Sequence, residues 1–394
     1  MNQIERLLEE LSPDGVPVRA LGEVAELVRG NGMPKTDLQA EGIGAIHYGQ
    51  IYTRYGVWTT STLSFVTPTV AAKLAKVNPG DVIITNTSEN LDDVGKAVAW
   101  LGDEQIVTGG HATVIRHGQD PKYLAYWFQS ESFYAQKAAL ATGTKVMDVS
   151  ARQLAGVHLP IPPLPVQREV VRILDSFREL ADELSRELRI EVLGRRRQFG
   201  YFRDVLLSFG SDVAMRPLAE LAKNLDRARK PVTRAARTAG PIPYYGASGI
   251  VDYVSDFIFD GDYLLVSEDG ANLLARSTPI AFAVKGKTWV NNHAHVLEFE
   301  NFIDQRFVEI YLNSIDLAPF VSGAAQPKLN QFNLARIAIP DPPYAEKQRI
   351  VAIFDQLEGS MRDLEGALTS EIEDRRHQYA HYRNRLLSFS GAAA

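Results

Sequence analysis
The stretch from Pro160 to Phe209 recurs, without a gap, from Pro340 to Phe389, at a constant offset of 180 residues. Identical pairs include Pro162/Pro342, Pro163/Pro343, Ile173/Ile353, Asp175/Asp355, Leu184/Leu364, Leu188/Leu368, Glu191/Glu371, Arg195/Arg375, Arg196/Arg376, Gln198/Gln378 and Arg203/Arg383. Both copies close on the same tetrapeptide, Leu206-Leu207-Ser208-Phe209 and Leu386-Leu387-Ser388-Phe389. A repeat of this length, present once per half, implies two similar units and a pseudo-two-fold axis.

Each copy reads as a long helix. It follows a Pro-Pro turn, and proline, lacking an N–H and fixed in φ, suits the approach to a helix rather than its interior. Apolar residues fall at Val170, Leu174, Phe177, Ala181, Leu184 and Leu188 in the first copy. In the second they fall at Ile350, Phe354, Leu357, Met361, Leu364 and Leu368. The alternating three- and four-residue spacing predicts a coiled-coil seam, with these residues as rod packing. The stripe resumes at Phe199, Phe202 and Leu206, and at Tyr379, Tyr382 and Leu386. Such helices would form a rod of about 60 Å.

The intervening segments are different. They carry short apolar runs between glycine turns, among them Asp81–Thr85, Val107–Ile115, Asp262–Val266, Ile280–Val284 and Ala294–Leu297, which read as strands. Helices are expected over Pro121–Ala141 and Ile303–Ala318. The two segments share a frame: Arg19-Ala20-Leu21-Gly22-Glu23 resembles Arg216-Pro217-Leu218-Ala219-Glu220, and Gly143 and Gly323 each open a polar loop leading to Leu154-Ala155 and Leu334-Ala335. The predicted fold class is α+β. Two globular mixed α/β domains alternate with two long helices that pack as an antiparallel coiled coil. The boundaries are 1–160 for the N-terminal helix and first head, and 161–209 for the first helical region. The second head takes 210–340, and the second helical region with the C-terminal tail takes 341–394.

The absence of cysteine excludes disulfides and cysteine-ligated metals. No apolar run approaches the roughly 18 residues of a membrane span, and Met1–Leu11 has no secretory character. The expectation is a cytoplasmic protein without membrane contact. The net charge of −6 weighs against a simple nucleic-acid binder. By segment it divides as −4, +1, −1 and −2, so any DNA contact must use local patches or a partner's charge.

This organisation resembles the specificity subunit of Type I restriction–modification systems. The carrying residues are Ile161-Pro162-Pro163 with Gln167–Asp175, Pro342-Pro343 with Lys347–Asp355, and both Leu-Leu-Ser-Phe endings. Tyr244-Tyr245-Gly246-Ala247-Ser248-Gly249-Ile250 followed by Gly261–Leu265 is also similar to a common target-recognition pattern. The resemblance implies a non-catalytic subunit that reads a bipartite, asymmetric double-stranded DNA target, one half-site per target-recognition domain. It further implies docking of two methyltransferase subunits and of restriction subunits that translocate and cleave. No cofactor is expected in this chain; S-adenosylmethionine and ATP belong to the partners. The competing reading is a two-headed coiled-coil adaptor for proteins, unconnected to DNA.

Side chains able to bond base edges or phosphates lie in glycine-flanked loops. The DNA-binding candidates in the first domain are Tyr48, Gln50, Arg54, Tyr55, Asn86, Thr87, Thr144 and Lys145. In the second they are Arg227, Arg229, Lys230, Tyr244, Tyr245, Ser248, Lys328 and Asn330. Glu268-Asp269 could accept from a cytosine amine or build a turn. Arg195–Arg197 reads as an ion-pair cluster more readily than a DNA contact. No catalytic residue and no metal site is expected. Asp341-Pro342-Pro343-Tyr344 fits an amino-methyltransferase loop, but the equivalent Ile161-Pro162-Pro163-Leu164 cannot do that chemistry. His111 and His293 read as hydrogen-bonded structural histidines.

Overall fold
The structure is a computed structural model that describes residues 3–323 and 326–389. The tail beyond Phe389, assigned above to the last region, lies outside the described residues. The repeats form two helices of equal length, Leu164–Leu206 and Tyr344–Leu386, each of 43 residues and again offset by 180. At 1.5 Å per residue each is about 65 Å long. We call them the first and second rod helices.

The chain forms two compact units. One holds residues up to Glu187 together with those from Thr369 onward; the other is Leu188–Leu368. Each unit therefore contains one head, the start of the rod helix that follows it, and the end of the other rod helix. Within each unit the two helical segments run antiparallel. In the first, Phe177 stacks on Tyr382 with ring centres 5.3 Å apart and planes 4° from parallel. In the second, Phe199 meets Phe354 edge-on at 5.7 Å, and Arg196 Nε lies 2.7 Å from Glu365 Oε1.

The seam has two functions. Leu184, Leu188, Leu357, Leu364 and Leu368 are half-buried, as expected where only two helices meet. Val170, Leu174, Ile350 and Phe354, expected as rod packing, are instead fully buried within the cores of the heads. The last turn of the other helix joins them there. Leu387, with Leu386 and Phe389, closes the first core, while Leu206, Leu207 and Phe209 close the second. This accounts for the identical Leu-Leu-Ser-Phe endings. Phe202, also on the expected stripe, is exposed and lies against Tyr201.

Each head opens and closes on one antiparallel strand pair. Val18–Ala20 pairs with His158–Pro160, and Met215–Pro217 with Ala338–Pro340. Leu21 and Leu218 then donate their N–H to the carbonyls of Val157 and Ile337. Short helices, Leu21–Val24 and Ala151–Ala155 in one head and Leu218–Leu221 and Gln331–Ala335 in the other, complete the frame. The glycine loops match too. Gly143 and Gly323 have φ of +104° and +84°, and bridges Thr142↔Asp148 and Ser322↔Lys328 flank them.

Inside the frames the heads diverge. The first holds a five-stranded sheet and a four-stranded sheet; the second holds one six-stranded sheet. The run Val107–Ile115 is not one strand. It breaks at Gly109-Gly110, giving Ile106–Thr108 in one sheet and Ala112–His117 in the other. A Cβ on Gly109 would fall 2.6 Å from Met33 Cβ, so only glycine fits this crossing. The helix expected over Pro121–Ala141 is likewise two, Pro121–Trp127 and Glu131–Leu140, because the Ser130 side chain accepts from Phe133 N and caps a new start. The helix expected over Ile303–Ala318 ends at Ser314.

Leu387→Ala, remote from every base-reading candidate, should cost about 2–5 kcal/mol of stability. Denaturant unfolding of the full chain measures this.

Candidate nucleic-acid interface
In the first head the candidates cluster on the helix Tyr48–Thr53 and its flanks. His47 caps this helix: its Nδ1 accepts from Gly49 N, while Gln50 Oε1 accepts from His47 N. Gln50 Nε2 donates to Ser64 Oγ at 2.6 Å, and the Tyr55 hydroxyl accepts from Leu63 N at 2.7 Å. These two side chains are therefore engaged in holding the loop. Asn86 is wholly buried; its amide donates to the Val149 carbonyl at 2.7 Å and its Oδ1 accepts from Thr113. It is a structural bridge, not a base reader.

Thr87, although only 7% exposed, meets His111 Nδ1 at 2.9 Å, and the Tyr48 ring lies between His47 (4.5 Å) and His111 (4.9 Å). Burial first, then Lys35 and His111, lower the His47 pKa. His47 and Tyr52 join this aromatic cluster but were absent from the candidates. Aromatic residues three and four apart, as in Tyr48, Tyr52 and Tyr55, were the available signal. Arg54, Thr144 and Lys145 are exposed.

In the second head the sequence candidates separate sharply. Arg229 lies inside a buried ion network: its Nη1 is 2.5 Å from Glu268 Oε2, and its Nη2 is 3.4 Å from Asp226 Oδ2. His295 Nδ1 faces Asp226 Oδ2 at 2.6 Å and its Nε2 faces the Leu329 carbonyl at 2.7 Å. Lys328 Nζ contacts Glu268 Oε1 at 3.0 Å. Burial pushes both carboxyls up. His295 and then Arg229 bring Asp226 below its ordinary value, and Arg229 and Lys328 do the same for Glu268. Oxygens of Asp226 and Glu268 and a nitrogen of His295 approach within 4.8 Å, a metal-like spacing. The charges are already balanced by cations, and a metal ion would have to displace the Arg229 guanidinium.

Tyr244 is 1% exposed, stacks on Trp289 at 6.4 Å, and accepts from Val232 N; it belongs to the core. Tyr245 is half-buried beside Phe282. Asn330 caps the helix Gln331–Ala335 by accepting from Asn333 N. Glu268 and Asp269 build structure, Asp269 holding His293 Nδ1 at 2.8 Å. Arg227, Lys230 and Ser248 are exposed, Ser248 in the turn between the strands Ala239–Gly246 and Gly249–Val254.

On the rods, Arg195 pairs with Glu191 at 2.8 Å and Arg375 with Glu371 at 2.7 Å, which is the ion-pair reading. The Asp341 carboxylate is held by Lys347 and by Arg216 at 3.0 Å. Its ties are those of a structural anchor rather than of a methyltransferase loop.

The heads, their shared frame and the repeated helices define a class of two-headed protein. Residues 13–193 and 210–374 match the family described as Type I restriction modification DNA specificity domain, and the chain belongs to that family. It is 40% identical over 191 residues to a Haemophilus influenzae protein named as a type I restriction enzyme specificity subunit. That match covers 45% of this chain and 47% of the relative, about half its length. It is 28% identical to the EcoR124I/EcoR124II specificity subunit of Escherichia coli, over 68% of this chain and 70% of that one. Two solved structures share the fold. One, from work on complex assembly of the type I R-M system, has a TM-score of 0.75 at 16% identity, covering 96% of this chain and 98% of that one. The other, the HsdS subunit from Thermoanaerobacter tengcongensis, has a TM-score of 0.56 at 17% identity, covering 96% and 99%.

Arg229→Ala would leave two buried carboxylates short of a partner, so it should destabilise the chain by about 3–5 kcal/mol. The pH dependence follows from the same network. Both folded-state pKa values lie below the ordinary 3.8 and 4.5. This stabilisation is therefore complete above that range and is lost as pH falls through the folded values. Thermal melts from pH 7 to pH 3 should show the wild type losing stability on acidification, and Arg229→Ala losing less.

Proposed function
We propose that this chain is the DNA-recognition subunit of a Type I restriction–modification complex. It reads an asymmetric bipartite target, one half-site per head, and docks two methyltransferase subunits and the restriction subunits. The chain itself performs no chemistry; S-adenosylmethionine and ATP are bound by the partners, and the complex works in the cytoplasm. The adaptor reading finds no support in the family match.

The observation that carries this reading is the contrast between frame and interior. Both heads are bounded by the same strand pair, short helices and glycine loop, yet one encloses a five-stranded and a four-stranded sheet and the other a six-stranded sheet. A shared mount with unlike contents suits two readers of unlike sequences. Exposed cations, Arg54 and Lys145 in one head and Arg227 and Lys230 in the other, supply phosphate contacts. The net charge of −6 is consistent with partners that contribute further positive field.

Long-read methylation sequencing tests this in cells expressing the chain with its modification subunit, against cells with that subunit alone. The expected result is a new adenine-methylated motif of two unlike short halves around a fixed gap. No new motif, with an active modification subunit present, overturns the proposal. Exchanging one head should change one half of the motif only, and adding about one helical turn to both rod helices should change the gap alone. Arg227→Ala with Lys230→Ala should weaken DNA binding by the assembled complex and reduce its salt slope by about two.

A further inference from the structure
The first unit contains a recess of 370 Å³ where its head meets the end of the second rod helix. Tyr52, Tyr55, Gly56, Lys96, Lys137 and Arg383 are among its lining residues. Arg383 projects from the rod helix with no ion pair or hydrogen bond to its guanidinium among the described residues, and its Nε is buried and unpaired. Its Cζ rests 5.7 Å from the Tyr379 ring. Lys137 is 4% exposed; its Nζ donates to the carbonyls of Val94 (2.7 Å) and Asp92 (3.2 Å), with no carboxylate hydrogen-bonded to it.

Gly56 is in the lining, and a Cβ there would collide with the Arg178 guanidinium. Asp93 pairs with Lys96 at 2.7 Å, and Asp92, the carboxylate in the lining, accepts from the Tyr134 hydroxyl at 3.2 Å while its charge acts on Lys137.

In the lining, Lys96, Lys137 and Arg383 face Asp92, so positive charge exceeds negative. Burial lowers the Arg383 pKa, with only partial relief from Tyr379 and Glu131, and it pushes Lys137 down to about 8. Water can satisfy the orphaned donor of the half-buried Arg383 but cannot balance the charge of the buried Lys137 ammonium. These two cations come from different elements, Lys137 from the helix Glu131–Leu140 and Arg383 from the second rod helix. Donors arriving from different elements suit a tetrahedral acceptor better than a flat carboxylate.

We propose that this recess binds a phosphate-class oxyanion through Arg383 and Lys137. The anion would lock the head to the rod helix at the point where they join. Two sources share this chemistry, a free phosphate and a backbone phosphate of bound DNA.

The test titrates the full chain with inorganic phosphate against chloride at matched ionic strength, by calorimetry and thermal melting. The expected result is saturable one-site binding with a melting temperature that rises with the logarithm of phosphate. Arg383→Gln should raise the dissociation constant at least about tenfold, the scale of one charge-assisted hydrogen bond, and Arg383→Lys should restore part of it. Melting in chloride shows whether Arg383→Gln folds. If it does not, phosphorus NMR of the wild type with phosphate decides the matter. Absence of saturable binding at millimolar phosphate, or equal effects in wild type and Arg383→Gln, would leave a water-filled recess and overturn the proposal. Added duplex displaces inorganic phosphate if the natural occupant is DNA backbone, and leaves it bound if the occupant is free.

Discussion
Everything in each unit depends on the joint between a head and the helix that leaves it. The first turns of the rod helix enter the core of the head, through Val166, Val170 and Leu174 in one unit and Ile350, Val351 and Phe354 in the other. A carboxylate one residue beyond fastens the joint. Asp175 receives Lys122 Nζ and the Tyr126 hydroxyl, both at 2.6 Å, while Asp355 receives Arg306 Nε at 2.9 Å. The end of the opposite helix then covers the remaining apolar face. Each core is therefore unfinished until two helices, distant in sequence, have docked on it. This couples the folding of a head to the formation of the antiparallel helix pair.

That coupling explains which residues repeat. Asp175/Asp355 and the Leu-Leu-Ser-Phe endings are identical because both joints present the same geometry to the same helix. The heads' interiors face no such requirement, and there charge serves different ends. In the second head, Asp226, Arg229, Glu268 and His295 form a buried network whose members satisfy one another. Such a network rigidifies the base of the sheet and fixes where the exposed neighbours Arg227 and Lys230 stand.

The rods and the frame were legible because their signals are local and periodic. Seam spacing, proline turns and glycine loops act over a few residues, and both copies had to agree. Strand and helix breaks were harder. Gly109-Gly110 divides an apolar run only because Met33, far away in sequence, lies across it. The base-reading candidates were the least legible. Asn86, Tyr244, Arg229, Gln50, Tyr55 and Asn330 are polar residues near glycines, as base readers are. Tertiary packing engages each of them differently. Asn86 bridges strands, Tyr244 enters the core, and Asn330 caps a helix. Polarity along the chain does not distinguish a side chain aimed at solvent from one satisfying a buried backbone group.

The joints are alike in geometry but not in chemistry, which limits how the heads can be exchanged. At equivalent positions of the repeat, Gln167 accepts from Asp120 N and donates to the Pro162 carbonyl, whereas Lys347 bridges Asp304 and Asp341. Lys347 needs both carboxylates, and Asp341 in turn holds Arg216 at the opening of the second head. A second head transplanted without its own Lys347 would leave Asp304 and Asp341 facing a neutral amide, and a first head placed on Lys347 would bury an ammonium beside the backbone groups that Gln167 satisfies. The natural boundary of an exchangeable head therefore lies past the first turns of its rod helix, beyond Asp175 or Asp355, where the seam becomes half-buried leucine and no longer distinguishes one head from the other.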